Sequence, residues 1–196
     1  MGRPAIHDID TLLDAAVQLV AEHGPVGVTM SAVARAASAS SGSVYHRFPD
    51  RPALQAALWT RTLTRFQAGL IAAMNTDPPR RAAIAAARYV VEWSRAHPAE
   101  ARVLLAGARE FGASTWPSAA VRASEQAQKR LDAAFHDLGG RLGDPVAREP
   151  NRLLIALVDL SYATVRRYLS AGKPIPPDAA DLVEQAVTAL LDQARR

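Results

Sequence analysis

The sequence predicts an all-α protein, because apolar residues recur at helical spacing, alanine is abundant, and no stretch alternates apolar and polar residues as a strand would. The apolar fraction of 49% is ample for a buried core. The absence of cysteine excludes disulfides, thiolate metal sites and cysteine catalysis. No apolar run has the length of a membrane span, and the N-terminus lacks the apolar core of a signal peptide. We therefore expect a cytoplasmic protein without a membrane partner.

Turn-forming residues divide the N-terminal part of the chain into four helices. The first covers about residues 8–23 and ends at Gly24-Pro25. Thr29 is a suitable N-cap for the second, which the serine-rich stretch 38–43 brings to an end. A short third helix follows, and Asp50 caps a fourth, long helix that reaches about Met74.

Proline and glycine also delimit the rest of the chain. The expected helices cover about residues 79–97, 98–112, 116–138, 150–171 and 176–195. Gly139-Gly140 is expected to end the third of these. The segment 150–171 is apolar almost all round, as a helix covered on two sides would be. The sequence thus predicts nine helices in total.

Positive charge is concentrated in one part of the sequence. The chain as a whole carries a formal net charge of +4. Between Gly24 and Phe66, Asp50 is the only acidic residue, and the basic residues are Arg35, Arg47, Arg51, Arg61 and Arg65. The preceding stretch is acidic instead. This local excess favours an anionic partner for the N-terminal third.

Within that basic region, two short helices joined by a small turn and braced by an amphipathic first helix predict a helix-turn-helix. The second of the two helices presents hydroxyl, imidazole and guanidinium groups, namely Ser41, Ser43, Tyr45, His46 and Arg47. Such groups suit hydrogen bonds to base edges and phosphates. On spacing alone, an ordinary helical hairpin with solvated polar residues is an equally good interpretation.

The arrangement of these residues resembles the DNA-binding domain of TetR-family transcriptional regulators. The resemblance rests on VTMSAVARAA from Val28, SSGSVYHRF from Ser40 and DRPAL from Asp50, and it covers about residues 8–58. Two positions depart from the family pattern. Ser38 stands in the turn where the family usually has glycine, and it is costly if its φ is positive. Arg51 replaces the family's lysine and keeps the charge.

The resemblance implies a role for each matching residue. Phosphate contacts are expected from Thr29, Tyr45 and Arg51, and a minor-groove or phosphate contact from Arg3. The residues expected to face the major groove are Ser41, Gly42, Ser43 and His46, with Gly42 permitting close approach of the backbone. Alternatively, Tyr45 packs on the first helix and Arg3 makes no contact. Core positions rather than contacts are expected at Val33, Ala34, Val44, Phe48 and Leu54.

The resemblance also implies two domains and a homodimer. Residues 1–55 would form the helix-turn-helix domain, 50–74 a connector helix, and 56–196 an effector-binding and dimerisation domain. The last two helices would pair with their copies, so that the dimer recognises a palindromic operator in double-stranded DNA. The expected interface residues are Leu153, Leu157, Leu160, Val183, Val187 and Leu190. A purely core role for these side chains is the alternative.

A small effector inside the C-terminal bundle is a further implication of the resemblance. Candidate pocket residues are Trp59, Phe66, Tyr89, Trp93, Phe111, Trp116, Asp159 and Tyr162, although core packing is an alternative for each aromatic side chain. Asp159 lies in an apolar run, and we expect it to pair with Arg166 or Arg167 rather than to bind a ligand or specify the dimer. Few other charges fall on inward faces, so we expect a mainly apolar effector.

Together these features predict a sequence-specific DNA-binding regulator, most simply a ligand-responsive homodimeric repressor that its effector releases from the operator. The histidines show no paired spacing for a metal, and no nucleophile elbow or phosphate-binding glycine loop is present. We therefore expect no enzymatic activity, metal or cofactor. The rival interpretation is a helical scaffold that binds other proteins and not DNA.

Overall fold

The computed structural model describes residues 9–143 and 153–193 of the chain, and all regular secondary structure within these ranges is helical. Its α-helices are α1 Ile9–His23, α2 Met30–Ala36, α3 Ser41–Arg47, α4 Arg51–Met74, α5 Pro79–Ala96, α6 Pro98–Ala106, α7 Ser118–Leu142, α8 Leu160–Leu169 and α9 Ala179–Gln193. The nine helices of this part of the chain correspond to the nine predicted ones. None of them combines the length and apolar character that a membrane crossing requires.

The described residues form two compact units. The first comprises residues 9–63 together with Ala99–Ser124, and the second comprises Thr64–Pro98 and residues 125–143 and 153–193. Both α4 and α7 begin in the first unit and end in the second. The boundary predicted at residues 55/56 falls inside α4.

The first unit is built around α1, α2, α3 and the N-terminal part of α4. Its core combines aliphatic side chains of these helices with aromatic ones, including Val33, Val44, Phe48, Leu54, Leu58, Trp59, Phe111 and Trp116. The predicted core positions Val33, Ala34, Val44, Phe48 and Leu54 are all buried, which confirms them. Phe111 is fully buried, and its carbonyl accepts a hydrogen bond from the indole Nε1 of Trp116 at 2.8 Å. Residues more than fifty positions downstream thus support the three N-terminal helices.

The second unit is organised around α5, which packs against both α8 and α9. The face of α5 that makes these contacts consists largely of small buried residues, namely Ala82, Ala83, Ala86, Ala87, Val90 and Val91. Small side chains let the backbones of neighbouring helices approach closely, and the Ser161 hydroxyl donates to the Ala87 carbonyl at 3.2 Å. On α9, Val183 and Val187 are buried as well.

Two predicted helix boundaries differ from the observed ones. Gly139 and Gly140 do not end α7, which continues to Leu142, and Gly139 is buried within the helix. The helix predicted at residues 98–112 stops at Ala106, and two short 3₁₀ turns follow, Ala108–Phe111 and Ala113–Thr115. In addition, Ile155–Asp159 forms a π-helical turn directly before α8. Packing thus overrides the local tendency of glycine to end a helix.

Candidate nucleic-acid interface

The side chain of Thr29 caps α2. Its Oγ1 accepts a hydrogen bond from the Ala32 amide at 3.1 Å and lies 3.3 Å from Ser31 Oγ. This is the N-cap role that the sequence predicts, and it satisfies one of the free amides at the start of the helix. Thr29 remains partly exposed, so its hydroxyl can still meet a phosphate.

The turn between α2 and α3 is a compact C-capping motif centred on Ser38. The Ala39 amide donates to the Ala34 carbonyl at 2.8 Å and the Ser38 amide to the Arg35 carbonyl at 3.1 Å, which is the Schellman pattern. Ser38 has a φ of 52°, a left-handed conformation that favours glycine. The turn therefore keeps the geometry that a glycine would give it.

Helix α3 separates a buried face from an exposed one. Val44 is fully buried and Phe48, immediately after the helix, is 4% exposed. The Ser40 side chain caps the helix by accepting from the Ser43 amide at 3.1 Å. These contacts fix α3 on the first unit, so its other face points to solvent.

Four of the predicted DNA contacts occupy that exposed face. Ser41, Gly42 and His46 are exposed, and Tyr45 is 55% exposed, so its ring is not packed away on α1. A Cβ added at Gly42 would have only Ser40 Oγ within 4.0 Å. The face is therefore polar and open, and at Gly42 the backbone itself is accessible.

Ser43 and Arg47 are linked to each other rather than fully exposed. The Arg47 Nη1 donates to the Ser43 carbonyl at 3.1 Å and to its Oγ at 3.0 Å, one turn earlier in α3. The Arg47 guanidinium would therefore lie next to any base edge that Ser43 contacts. The sequence gives no sign of this pair beyond the four-residue spacing.

Not all of the basic residues counted in this region are available to an anion. Arg61 lies in ion pairs with two carboxylates of α1, at 2.9 Å from Asp10 Oδ1 and 2.8 Å from Asp14 Oδ1, and its side chain is only 11% exposed. Arg35 is exposed on α2 and makes no ion pair with another residue of the described chain. The acidic first helix thus neutralises part of the basic excess, and Arg35 and Arg51 remain at the surface.

Arg51 begins α4 and is exposed, but its guanidinium has protein partners. Nε donates to the Val28 carbonyl at 2.8 Å and Nη2 to the Val26 carbonyl at 3.2 Å. The sequence predicts only its charge. Its neighbour Asp50 caps α4 as predicted, because its Oδ1 accepts from the Ala53 amide at 2.8 Å. Arg3, the other predicted basic contact, lies outside the described residues.

A capped α2, a tight turn and an α3 with a polar, open outer face define a helix-turn-helix of the DNA-binding class. Residues 12–58 match the family model of the bacterial regulatory proteins of the tetR family. Over these residues the chain is similar to the DNA-binding domain of that family, and the helix-turn-helix geometry described above agrees with the similarity.

Solved structures share the fold along nearly the whole chain. A transcriptional regulator from Rhodococcus sp. Rha1 is 21% identical with a TM-score of 0.77, and the alignment covers 95% of this chain and 97% of that one. The fatty acid degradation regulator FadR from Bacillus halodurans is 17% identical with a TM-score of 0.74 and 97% coverage of both chains. A TetR-like regulator from Rhodococcus sp. RHA1 is 23% identical with a TM-score of 0.67 and 98% coverage of both. At these identities the likeness establishes the fold. No curated protein sequence matches the chain.

The predicted pocket residues are distributed over both units. In the first unit, Trp59 packs against Phe111 and Trp116, with ring centroids 5.9 and 6.4 Å apart. In the second unit, the ring of Phe66 lies 5.8 Å from that of Tyr89 and 5.0 Å from that of Trp93. The members of this second cluster are only partly buried.

The remaining pocket candidates lie near α8. Tyr162 is partly buried, and Asp159 is exposed. In the described chain no ion pair joins Asp159 to Arg166 or Arg167, so the expected pairing is not observed. Exposure accounts for this, because water solvates the carboxylate and no burial forces a partner on it.

The predicted dimer residues are divided between the protomer's own core and its surface. Leu153, Leu157, Val183 and Val187 are buried within the chain, Leu160 is partly buried, and Leu190 is 46% exposed. Two other apolar side chains are more exposed, Ile155 and Leu182, each at 58%. Both residues lie in the apolar stripes of the last two helices but are not among the six predicted interface positions, since helices that are apolar on several faces do not reveal which face points outward.

Proposed function

We propose that the chain is a sequence-specific DNA-binding repressor that acts in the cytoplasm and places α3 in the major groove. The observation that carries this proposal is the exposed face of α3, where Gly42, Tyr45 and His46 meet solvent above a fully buried Val44. A helix of this width fits the major groove, and its hydroxyl and imidazole groups match base-edge donors and acceptors.

In this proposal, base contacts come from Ser41, Ser43 and His46, with Gly42 allowing the backbone to approach the duplex. Thr29 and Tyr45 hold the flanking phosphates through their hydroxyl groups, because both side chains are at least partly exposed. Such contacts position the protein without selecting a sequence. Arg3 and Arg51 would add positive charge at the edges of the interface.

The proposed repressor is a homodimer, because two recognition helices are needed for two half-sites about one DNA turn apart. We place the interface on the exposed apolar side chains Ile155, Leu182 and Leu190, which the protomer itself leaves uncovered. The predicted residues Leu153, Leu157, Val183 and Val187 would support this surface from beneath, and Leu160 would lie at its edge. A palindromic operator follows from the twofold symmetry.

We further propose a small, mainly apolar effector in the second unit, where Phe66, Tyr89 and Trp93 form a partly buried aromatic cluster. To release DNA, the effector must bind the DNA-incompetent state more tightly than the competent one. Because α4 is continuous from Arg51 to Met74, a change in its angle would alter the spacing of the recognition helices. A coupling of roughly 1–3 kcal/mol would change operator affinity about 5–150-fold.

The test is binding of the full chain to a 30-base-pair duplex of mixed sequence at several salt concentrations, with Tyr45→Phe as the variant. Loss of one phosphate hydrogen bond should weaken binding by about fivefold at every sequence. Tyr168→Phe is the matched control, because Tyr168 lies on α8 in the second unit. A folded wild-type chain that binds no duplex at low salt would favour the protein-scaffold alternative.

A further inference from the structure

Arg51 ties the start of α4 to the segment that precedes α2. Its Nε and Nη2 donate to the carbonyls of Val28 and Val26 at 2.8 and 3.2 Å, across 23 and 25 residues of sequence. The two donors come from one planar guanidinium, so the pair of bonds fixes orientation as well as distance. The acceptors lie immediately before Thr29, which caps α2.

Backbone hydrogen bonds link residues 24–29 to one another, but they leave two carbonyls of this segment without a backbone amide. Val26 is 78% exposed, whereas Val28 is fully buried. Among the backbone hydrogen bonds that the described part of the chain makes outside its regular helices, none has the Val26 or the Val28 carbonyl as its acceptor. A carbonyl next to a buried side chain costs free energy when it has no hydrogen-bond partner, and Arg51 supplies that partner to the Val28 carbonyl.

We propose that Arg51 is a positioning residue for the DNA interface, and that its guanidinium geometry, beyond its charge, is required. By holding the Val26 and Val28 carbonyls, it sets the location of Thr29 and the start of α2 relative to α3 and α4. Thr29 on one side and the exposed face of α3 on the other then meet the duplex in a fixed register. This inference rests on the DNA binding proposed above.

The substitution Arg51→Lys separates geometry from charge. Lysine keeps the positive charge, and with it the counterion release of any phosphate contact, but its ammonium lacks the planar pair of donors. If Arg51 served only as a phosphate contact, the lysine variant would bind DNA as the wild type does. If it positions the segment, the variant loses affinity and the salt dependence stays the same.

The experiment uses the full chain with Arg51→Lys, and Arg35→Lys as a matched control at an exposed arginine of α2. Circular dichroism first establishes that each variant is folded at the working temperature. Affinity for the 30-base-pair duplex is then measured from low to high salt. Hydrogen exchange is followed at the Gly27, Val28 and Thr29 amides, which donate to Gly24, Pro25 and Gly27 carbonyls.

For Arg51→Lys we expect exchange at these amides to become about tenfold faster, and duplex affinity to fall about tenfold with an unchanged salt slope. Arg35→Lys should leave the exchange rates unchanged. Wild-type affinity in Arg51→Lys would overturn the proposal, whether or not exchange accelerates. A wild-type chain that binds no duplex would overturn the proposed function and this role with it, while the exchange rates would still report whether Arg51 holds the segment.

Discussion

At the scale of single residues, Ser38 shows how local chemistry and fold are in conflict within the recognition motif. Its φ of 52° places an L-residue with a Cβ in the left-handed region, where only glycine is free of strain. The surrounding Schellman hydrogen bonds nonetheless hold it there. The conformation is therefore set by the need to turn the chain between α2 and α3.

Replacing Ser38 with glycine should remove this strain. We expect Ser38→Gly to raise the free energy of unfolding of the first unit by about 1 kcal/mol and to leave DNA affinity unchanged. Urea denaturation of the full chain measures the first quantity. Ala39→Gly in the same turn is the control, and it should destabilise, since its φ is not positive. If Ser38→Gly and Ala39→Gly changed the free energy of unfolding equally, the backbone of Ser38 would not be strained.

A substitution at Gly42 is expected to change the stability of the protein and its affinity for DNA in opposite directions. Because an added Cβ meets only Ser40 Oγ at 4.0 Å, Gly42→Ala should raise the stability of the free protein by about 0.5–1 kcal/mol. The same methyl group would hold the α3 backbone away from the duplex, and we expect affinity to fall about tenfold. Melting curves and duplex titrations test the two effects together.

Gly140→Ala is the matched control for Gly42→Ala. Gly140 also lies inside a helix, and nothing lies within 4 Å of its added Cβ. It should give the same gain in stability with no loss of affinity. A Gly42→Ala variant that binds DNA normally would move the interface away from this face of α3.

Sequence predicts residue roles well when the partner is close along the chain. The caps formed by Thr29 and Asp50 follow from residue type and the helix pattern, and their hydrogen bonds span three residues. The bonds of Arg51 span more than twenty residues, so no local pattern announces them. For the same reason, the ion pairs of Arg61 with α1 could not be deduced from charge counts.

At the scale of secondary-structure elements, a charge network joins α5 to α9. Arg88 donates to Asp181 Oδ1 and Glu184 Oε2, both at 2.6 Å, and also pairs with Glu92 on its own helix. The hydrogen bonds to Asp181, and then to Glu184, raise the pKa of Arg88 above its ordinary value. A cationic group whose pKa is raised by folding contributes its full stabilisation of the fold at every pH below its unfolded-state pKa. The contribution of Arg88 to stability is therefore constant across neutral pH.

Removing the Arg88 cation should weaken the packing of α9 on α5. We expect Arg88→Gln to lower the free energy of unfolding by about 1 kcal/mol, a modest cost because the carboxylates are largely exposed. The difference from wild type should shrink in 1 M salt. Arg81→Gln on the same helix is the control, since Arg81 is exposed and forms no ion pair in the described chain. If the loss of stability did not depend on salt, Arg88 would stabilise the protein through packing rather than through its charge.

The positions of the helices were largely predictable, and the exceptions have a physical cause. Proline, glycine and capping residues mark most boundaries, because they act within one turn. At Gly139, burial within α7 outweighs the intrinsic cost of glycine, and that burial depends on side chains distant in sequence. The π-helical turn at Ile155–Asp159 likewise has no signature in the apolar pattern.

At the scale of the whole molecule, the exposed apolar side chains of the last two helical segments lead to a prediction about assembly. Leu182→Glu should convert the proposed dimer to a monomer that remains folded, because Leu182 is 58% exposed in the protomer. Sedimentation velocity measures the assembly state. Val121→Glu, at an apolar residue of α7 that is 36% exposed, is the control and should remain dimeric. A dimer that survives Leu182→Glu would place the interface elsewhere.

The sequence predicts apolar stripes within residues 153–169 and 182–191, but it does not predict which of their side chains the protomer keeps inside. Leu157 is fully buried and Ile155, two residues earlier, is largely exposed. The choice depends on the small residues of α5 that receive α8 and α9, which are far away in sequence. The helix-turn-helix was more predictable because its caps, turn and core positions lie within one short stretch.

The most direct test of the account is selection of bound duplexes from a random DNA pool by the full chain, with Gly42→Ala carried in parallel. We expect the wild type to enrich a palindrome with half-sites about one helical turn apart, and the variant to lose that enrichment while remaining folded. A folded wild-type chain that enriches no sequence, or a Gly42→Ala variant that enriches the same palindrome equally well, would contradict recognition of DNA through α3.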